Sequence, residues 1–228
     1  MLEKLSEHAR TRRSFNTIPK TQRLAGVALF TALAIILNRS PVQFPAPYAS
    51  FLIYEVWEIP IVLALLIFGL PAGITVGILN ALILLAVFPG SLPSGPLYNL
   101  AAVVFSLVGV SLGHKLAFKA GRSLKAIAIL ATGLAIVTRV MGMTLINGIF
   151  LSFPPPVGFY LPHAVVYAML PAIAFFNGTV VLYSVPLAYS VVRGISSKHG
   201  GLRLAYAVPT RRAQYYSRQH TGTGSNLK

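Results

Sequence analysis

From Leu24 onward, apolar residues run in long blocks divided by glycine, proline and short polar stretches. The blocks are near bilayer-spanning length and are read as helices, about 20 residues each being needed to cross a hydrocarbon core. The first covers about Leu24 to Leu37. A second runs from about Phe51 to Phe68, and Gly69-Leu70-Pro71 turns it tightly into a third that ends near Phe88, so the two form a helical hairpin. After PGSLPSGP a fourth span covers about Leu97 to Phe118, and beyond a basic loop a fifth covers about Leu124 to Leu151. The segment SFPPPVGFY breaks the chain. The stretch that follows, Leu161 to Val192, is too long for one straight span and contains Pro162, Pro171 and Pro186. It is read as a helical or re-entrant lead-in and a sixth span from about Pro171, with a seventh span as the competing count.

Charge decides between six and seven. Of 19 Lys and Arg, six lie in residues 1–23, four in the loop 115–125 and seven from Arg193 onward. With six spans and a cytoplasmic N-terminus all seventeen face inward, as the positive-inside rule requires. An odd number would put the basic tail outside. The expected architecture is therefore all-α: a polytopic cell-membrane protein with six transmembrane helices and both termini cytoplasmic. Residues 1–23 form a basic extension without a signal-peptide core, 24–193 the membrane domain and 194–228 a basic tail that reads as disordered. No internal repeat is evident.

Composition agrees. The 228 residues are 55% hydrophobic and 10% charged, with a mean hydropathy of +0.72, well beyond a soluble domain. The net charge of +15 follows the topology and not a basic face with interleaved aromatics, so lipid is the expected environment and nucleic acid is not an expected partner. No cysteine is present, which excludes disulfides and thiolate chemistry. There is no GxxxxGK[ST] phosphate loop, no HExxH and no EF-hand, and the five histidines are scattered without ligand spacing. Neither an enzyme nor a bound cofactor is expected.

Only four acidic residues occur, all glutamate, and two stand in YEVWEIP at the start of the second span. Glu55 and Glu58, three apart, would share a helical face with Phe51 and Val62. Helix-end capping at the interface, with Tyr54 and Trp57 in an aromatic belt, and a role in ligand binding are both open readings. Other polar groups converge on the same level. Arg139, Met143, Asn147 and Phe150 form one buried stripe on the fifth span; Asn177, Thr179 and Tyr183 lie on the outer half of the sixth; Asn38 and Arg39 end the first; Tyr98 and Asn99 open the fourth. For any single Asn an interhelical hydrogen bond is the simpler reading, but together they outline a pocket open to the outside. Arg139 has no acidic partner on its own helix, and an intramembrane arginine marks either function or a buried pair.

The segments AGVALFTALAIIL, EIPIVLALLIFGLPAGITVGILNALI, PSGPLYNLAAVVFSLVGVSLG, RVMGMTLINGIF and AFFNGTVVLYS, in this order over about residues 24 to 193, resemble the substrate-binding S component of energy-coupling factor (ECF) transporters, in particular its riboflavin-binding branch. The resemblance implies a six-helix, non-enzymatic vitamin-binding protein that docks on a transmembrane coupling subunit with two ATPase subunits. It maps the family's AxxxA docking motif to Ala28 and Ala32, and the two ligand-binding asparagines to Asn147 and Asn177. Glu55, Glu58, Trp57, Tyr54, Arg139, Met143 and Asn99 complete the expected substrate site. The chain departs from the flavin binders at Val180, where they carry Lys, and at Ala174, near which they carry Pro. An S component for another vitamin or small metabolite and a stand-alone carrier or channel are the alternatives.

Overall fold

The computed structural model describes residues 18–41, 43–87 and 92–198. Among the described residues six helices pack together, five of them in a ring. Helix α1 spans Lys20–Asn38; a hairpin of β1 (Phe44–Ala46) and β2 (Ala49–Tyr54) follows; then come α2 (Glu58–Phe68), α3 (Leu70–Val87), α4 (Gly95–Lys119), α5 (Leu124–Phe150) and α6 (His163–Lys198). Packing runs α4 on α5, α5 on α6, α6 on α2, α2 on α3 and α3 back on α4, which closes a ring; α1 leans on α2 and α3 from outside it. Among the described residues five helices are long and apolar enough to cross a membrane, and α2 is shorter. The chain is built as a multi-pass membrane protein.

Helix α2 lies in the core. Every residue from Pro60 to Leu66 is buried, and Ile61, Leu65 and Leu66 are among the most fully enclosed side chains described. A helix apolar all round needs neighbours all round, and EIPIVLALLIF supplies no polar face. It stops at Gly69, whose φ of 95° only glycine adopts without strain, while the Gly69 N–H still bonds the Leu65 carbonyl at 2.8 Å. Pro71 then opens α3 in its first turn, where the missing N–H is not needed. Two further starts are equally local: Gly95-Pro96 begins α4, and the Ser123 hydroxyl accepts from the Ala126 N–H to cap α5.

Two expectations are corrected. The second span does not begin at Phe51, because Ala49–Tyr54 is a strand paired antiparallel with β1, Phe44 opposite Tyr54 and Pro45 opposite Ile53. The run ASFLIY is rich in aromatic and branched residues and follows Pro45 and Pro47, so hairpin chemistry prevails over the helical reading of a short apolar run. Phe51 and Glu55 consequently share no helical face with Glu58 and Val62, since the helix starts at Glu58. The second correction is at Pro171. There is no lead-in and separate span; α6 is one helix of 36 residues with Pro171 and Pro186 inside it, as membrane helices tolerate when other groups take over the freed carbonyl. Of the basic extension and tail, residues 18–23 and 194–198 are described, α1 starting at Lys20 and α6 reaching Lys198; the rest lies outside the described residues.

Candidate functional site

Glu58 is the first residue of α2 and only 5% exposed, and Arg139, midway along α5, is 3% exposed. Their side chains meet fork to fork: one terminal nitrogen of Arg139 donates to Glu58 Oε2, the other to Oε1 at 2.9 Å. The Arg139 Nε–H donates to Asn177 Oδ1 of α6 at 2.8 Å, and Nη1 also reaches Ser106 Oγ of α4 at 3.2 Å. Asn177 in turn donates to the Ile173 carbonyl at 2.9 Å. One guanidinium thus ties four helices. Burying both charges has a large desolvation cost that this geometry offsets, and removing one partner of such a pair typically costs about 3–5 kcal/mol.

Against this network lies a cavity of about 770 Å³, within the range of small-molecule sites. It opens at the hairpin end of the bundle. Strand β2 contributes Phe51, Leu52 and Ile53, the segment between α5 and α6 contributes Leu151, Phe159 and Leu161, and Leu92 with α4, α5 and α6 forms the remaining wall. Its polar groups are few: Tyr98 and Asn99 from α4, Arg139 and Asn147 from α5, Asn177 from α6. Asn147 donates to the Met143 carbonyl at 2.7 Å, which leaves its Oδ1 with no protein donor among the described residues. The segment 151–161 is held down by its own bonds, Phe159 N–H to Leu151 O and Tyr160 N–H to Phe153 O, and by Ser94 Oγ and Tyr98 OH, which both donate to the Val157 carbonyl at 3.0 and 2.9 Å. Arrayed like this, aromatic walls and amide edges suit a flat, polar-edged molecule.

Of the residues singled out in the sequence, Phe51, Tyr98, Asn99, Arg139, Met143, Asn147 and Asn177 line the cavity. Arg139, Met143 and Asn147 form the expected buried stripe, but Phe150 at its end is 39% exposed. Glu58 stands behind Arg139 and is no interfacial cap. Trp57 is not on the cavity wall and not in a lipid-facing belt: it is 4% exposed in the core, its indole N–H donating to Glu55 Oε2 at 2.9 Å. Tyr54 and Glu55 border a smaller recess of about 390 Å³ with Phe44, Thr179 and Tyr183. There the Tyr54 hydroxyl bonds Thr179 Oγ1 at 2.7 Å, and the Tyr183 hydroxyl donates to the Glu55 carbonyl. Gln43 donates to Glu55 Oε1 at 2.7 Å. Burial, chiefly, and then the charge of Glu58 raise the Glu55 pKa above its ordinary value, against the lowering effect of the Trp57 and Gln43 donors.

The aromatic walls come instead from Phe51, Tyr98, Phe159 and Phe176. Phe176 was legible as the neighbour of Asn177 in AFFN; Phe159 sits in a proline-rich connection with no periodicity to place it. Ala28 and Ala32 are exposed on the outer side of α1, on the same side as Leu29 and Ile36, opposite the buried Val27, Thr31 and Ala34.

No family model and no curated protein matches the chain. Among solved structures, one described as "Structure and mechanism of the S component of a bacterial ECF transporter" matches 78% of this chain and 98% of its own, with a TM-score of 0.60 and 22% sequence identity. The chain has the fold of that S component.

Proposed function

We propose that the chain is the substrate-binding component of an ECF-type transporter and that its cavity takes riboflavin from outside the cell for ATP-driven uptake. The carrying observation is the cavity of about 770 Å³, walled by aromatics and edged by Asn99, Asn147 and Asn177, on a fold shared with an S component. An isoalloxazine ring needs stacking on its faces and hydrogen bonds at its edges, and both are supplied. Six spans, with the hairpin end outside and the basic segments in the cytoplasm, accord with the distribution of Lys and Arg. Energy would come from a coupling subunit and two ATPase subunits, with the face bearing Ala28 and Ala32 toward the coupling subunit. Asn99, Met143, Asn147, Asn177 and Arg139 touch ligand in this reading, Glu58 acts through Arg139, and Tyr54, Glu55 and Trp57 brace the hairpin.

The test is titration of purified protein with riboflavin, read by quenching of flavin fluorescence. Asn147→Ala removes one hydrogen-bond partner, a loss of about 1–3 kcal/mol, and should weaken binding roughly 5- to 150-fold with thermal stability unchanged. Asn177→Ala should weaken it at least as much, and lower stability too, because Arg139 loses an acceptor. Unquenched flavin at micromolar protein, with another vitamin bound instead, would reject riboflavin.

A further inference from the structure

An arginine on the wall of a membrane-embedded cavity is ordinarily an anion hook, since its planar fork matches a phosphate or carboxylate and a low dielectric strengthens the pairing. Here the fork is already occupied. Glu58 takes both terminal nitrogens, Asn177 takes Nε–H and Ser106 takes a second Nη1 donor, so four of the five N–H groups are used inside the protein. No lysine, histidine or second arginine lines the cavity among the described residues. The wall is polar in places but carries no net charge.

We propose that Glu58 is a specificity-determining residue: by neutralising Arg139 it makes the cavity a site for an uncharged ligand and sets it against phosphorylated or carboxylated relatives of that ligand. The proposal rests on the cavity being the ligand site. An anion entering it must give up water and find no free cation. To take the guanidinium it must displace Glu58, which would leave a buried carboxylate without its partner in the core at the head of α2, where it is 5% exposed. A neutral amide- or hydroxyl-edged molecule meets none of these costs and still finds Asn147 Oδ1 and the side chain of Asn99, neither of which is bonded to the protein among the described residues. Glu58 touches no ligand in this arrangement and is a positioning residue that works through Arg139.

The experiment compares wild type and Glu58→Gln, each titrated with riboflavin and with riboflavin 5′-phosphate. Wild type should favour riboflavin by about tenfold or more, and Glu58→Gln, which leaves the guanidinium charge no longer neutralised, should shift the ratio of the two affinities toward the phosphate by about tenfold or more. A ratio has the advantage of being insensitive to the fraction of folded protein. Equal affinity of wild type for both flavins, or the same ratio in wild type and variant, overturns the proposal. Should Glu58→Gln not fold, the double variant Glu58→Gln/Arg139→Gln is neutral by another route; it should bind both flavins more weakly for want of Arg139 but still favour riboflavin over the phosphate, and a ratio favouring the phosphate would equally overturn the proposal. A wild type that binds neither flavin rejects riboflavin alone. The charge rule is then read from pantothenate against its uncharged alcohol by calorimetry, where preference for the carboxylate overturns it and preference for the alcohol upholds it.

Discussion

Trp57 is the chain's single tryptophan, and its indole N–H rests on a carboxylate whose proton affinity is raised by burial. The charged form of Glu55 is therefore disfavoured in the folded state. Its contribution to stability is present below the ordinary carboxylate pKa and is lost as the pH rises through the higher folded value. Tryptophan emission should accordingly show a step with a midpoint above 4.5, and Glu55→Gln should remove the step while leaving the emission at low pH nearly unchanged. A midpoint below 4.5, or a step that survives the substitution, would contradict this environment. At this scale the sequence singles residues out better than it places them. Glu55 and Glu58 stand out by scarcity alone, yet one braces a hairpin and the other pairs across the core. Spacing along a chain carries no information about a partner 81 positions away.

Between elements, the backbones of α4 and α5 approach closely at two glycines. A Cβ on Gly109 would fall 2.5 Å from Ala135 Cα, and one on Gly113 2.6 Å from Ala131 Cα; backbone atoms cannot step aside as a flexible side chain would. Gly109→Val should lower thermal stability by about 1–3 kcal/mol. It should also weaken ligand binding, since α5 carries Arg139 and Asn147. Gly133 on α5, with nothing within 4 Å of its added Cβ, is the control, and Gly133→Ala should be neutral or stabilise by up to about 1 kcal/mol. Thermal unfolding of the detergent-solubilised variants checks both. Helices α3, α4 and α5 were legible to within a few residues because Gly69-Leu70-Pro71, PGSLPSGP and the basic loop 115–125 punctuate them. Legibility failed in the two places where local signals conflict with tertiary context: FLIY extends an apolar run yet pairs as a strand, and Pro171 looks like a break yet sits inside a packed helix.

At the scale of the whole molecule, α1 stands outside the ring. Leu24, Leu29 and Ile36 are 72%, 66% and 65% exposed, with Ala28 and Ala32 between them. If the coupling subunit approaches there, Ala28→Trp/Ala32→Trp should leave flavin titration of the purified protein unchanged and abolish riboflavin accumulation by cells. Loss of titration as well would mean that the face packs the fold, and intact uptake would remove the docking surface. The helices also differ in length. At about 1.5 Å per residue, α1 and α3, of 19 and 18 residues, reach about 28 and 27 Å, whereas α6, with 36 residues, reaches about 54 Å. The hydrocarbon thickness is about 30 Å. A bilayer has therefore to meet a range of lengths in one protein: a thin one matches α1 and α3 at their ends, while α6 tilts or projects into the headgroups. Hydrophobic mismatch is then built into the molecule, and lipid chain length becomes a variable acting on its shape.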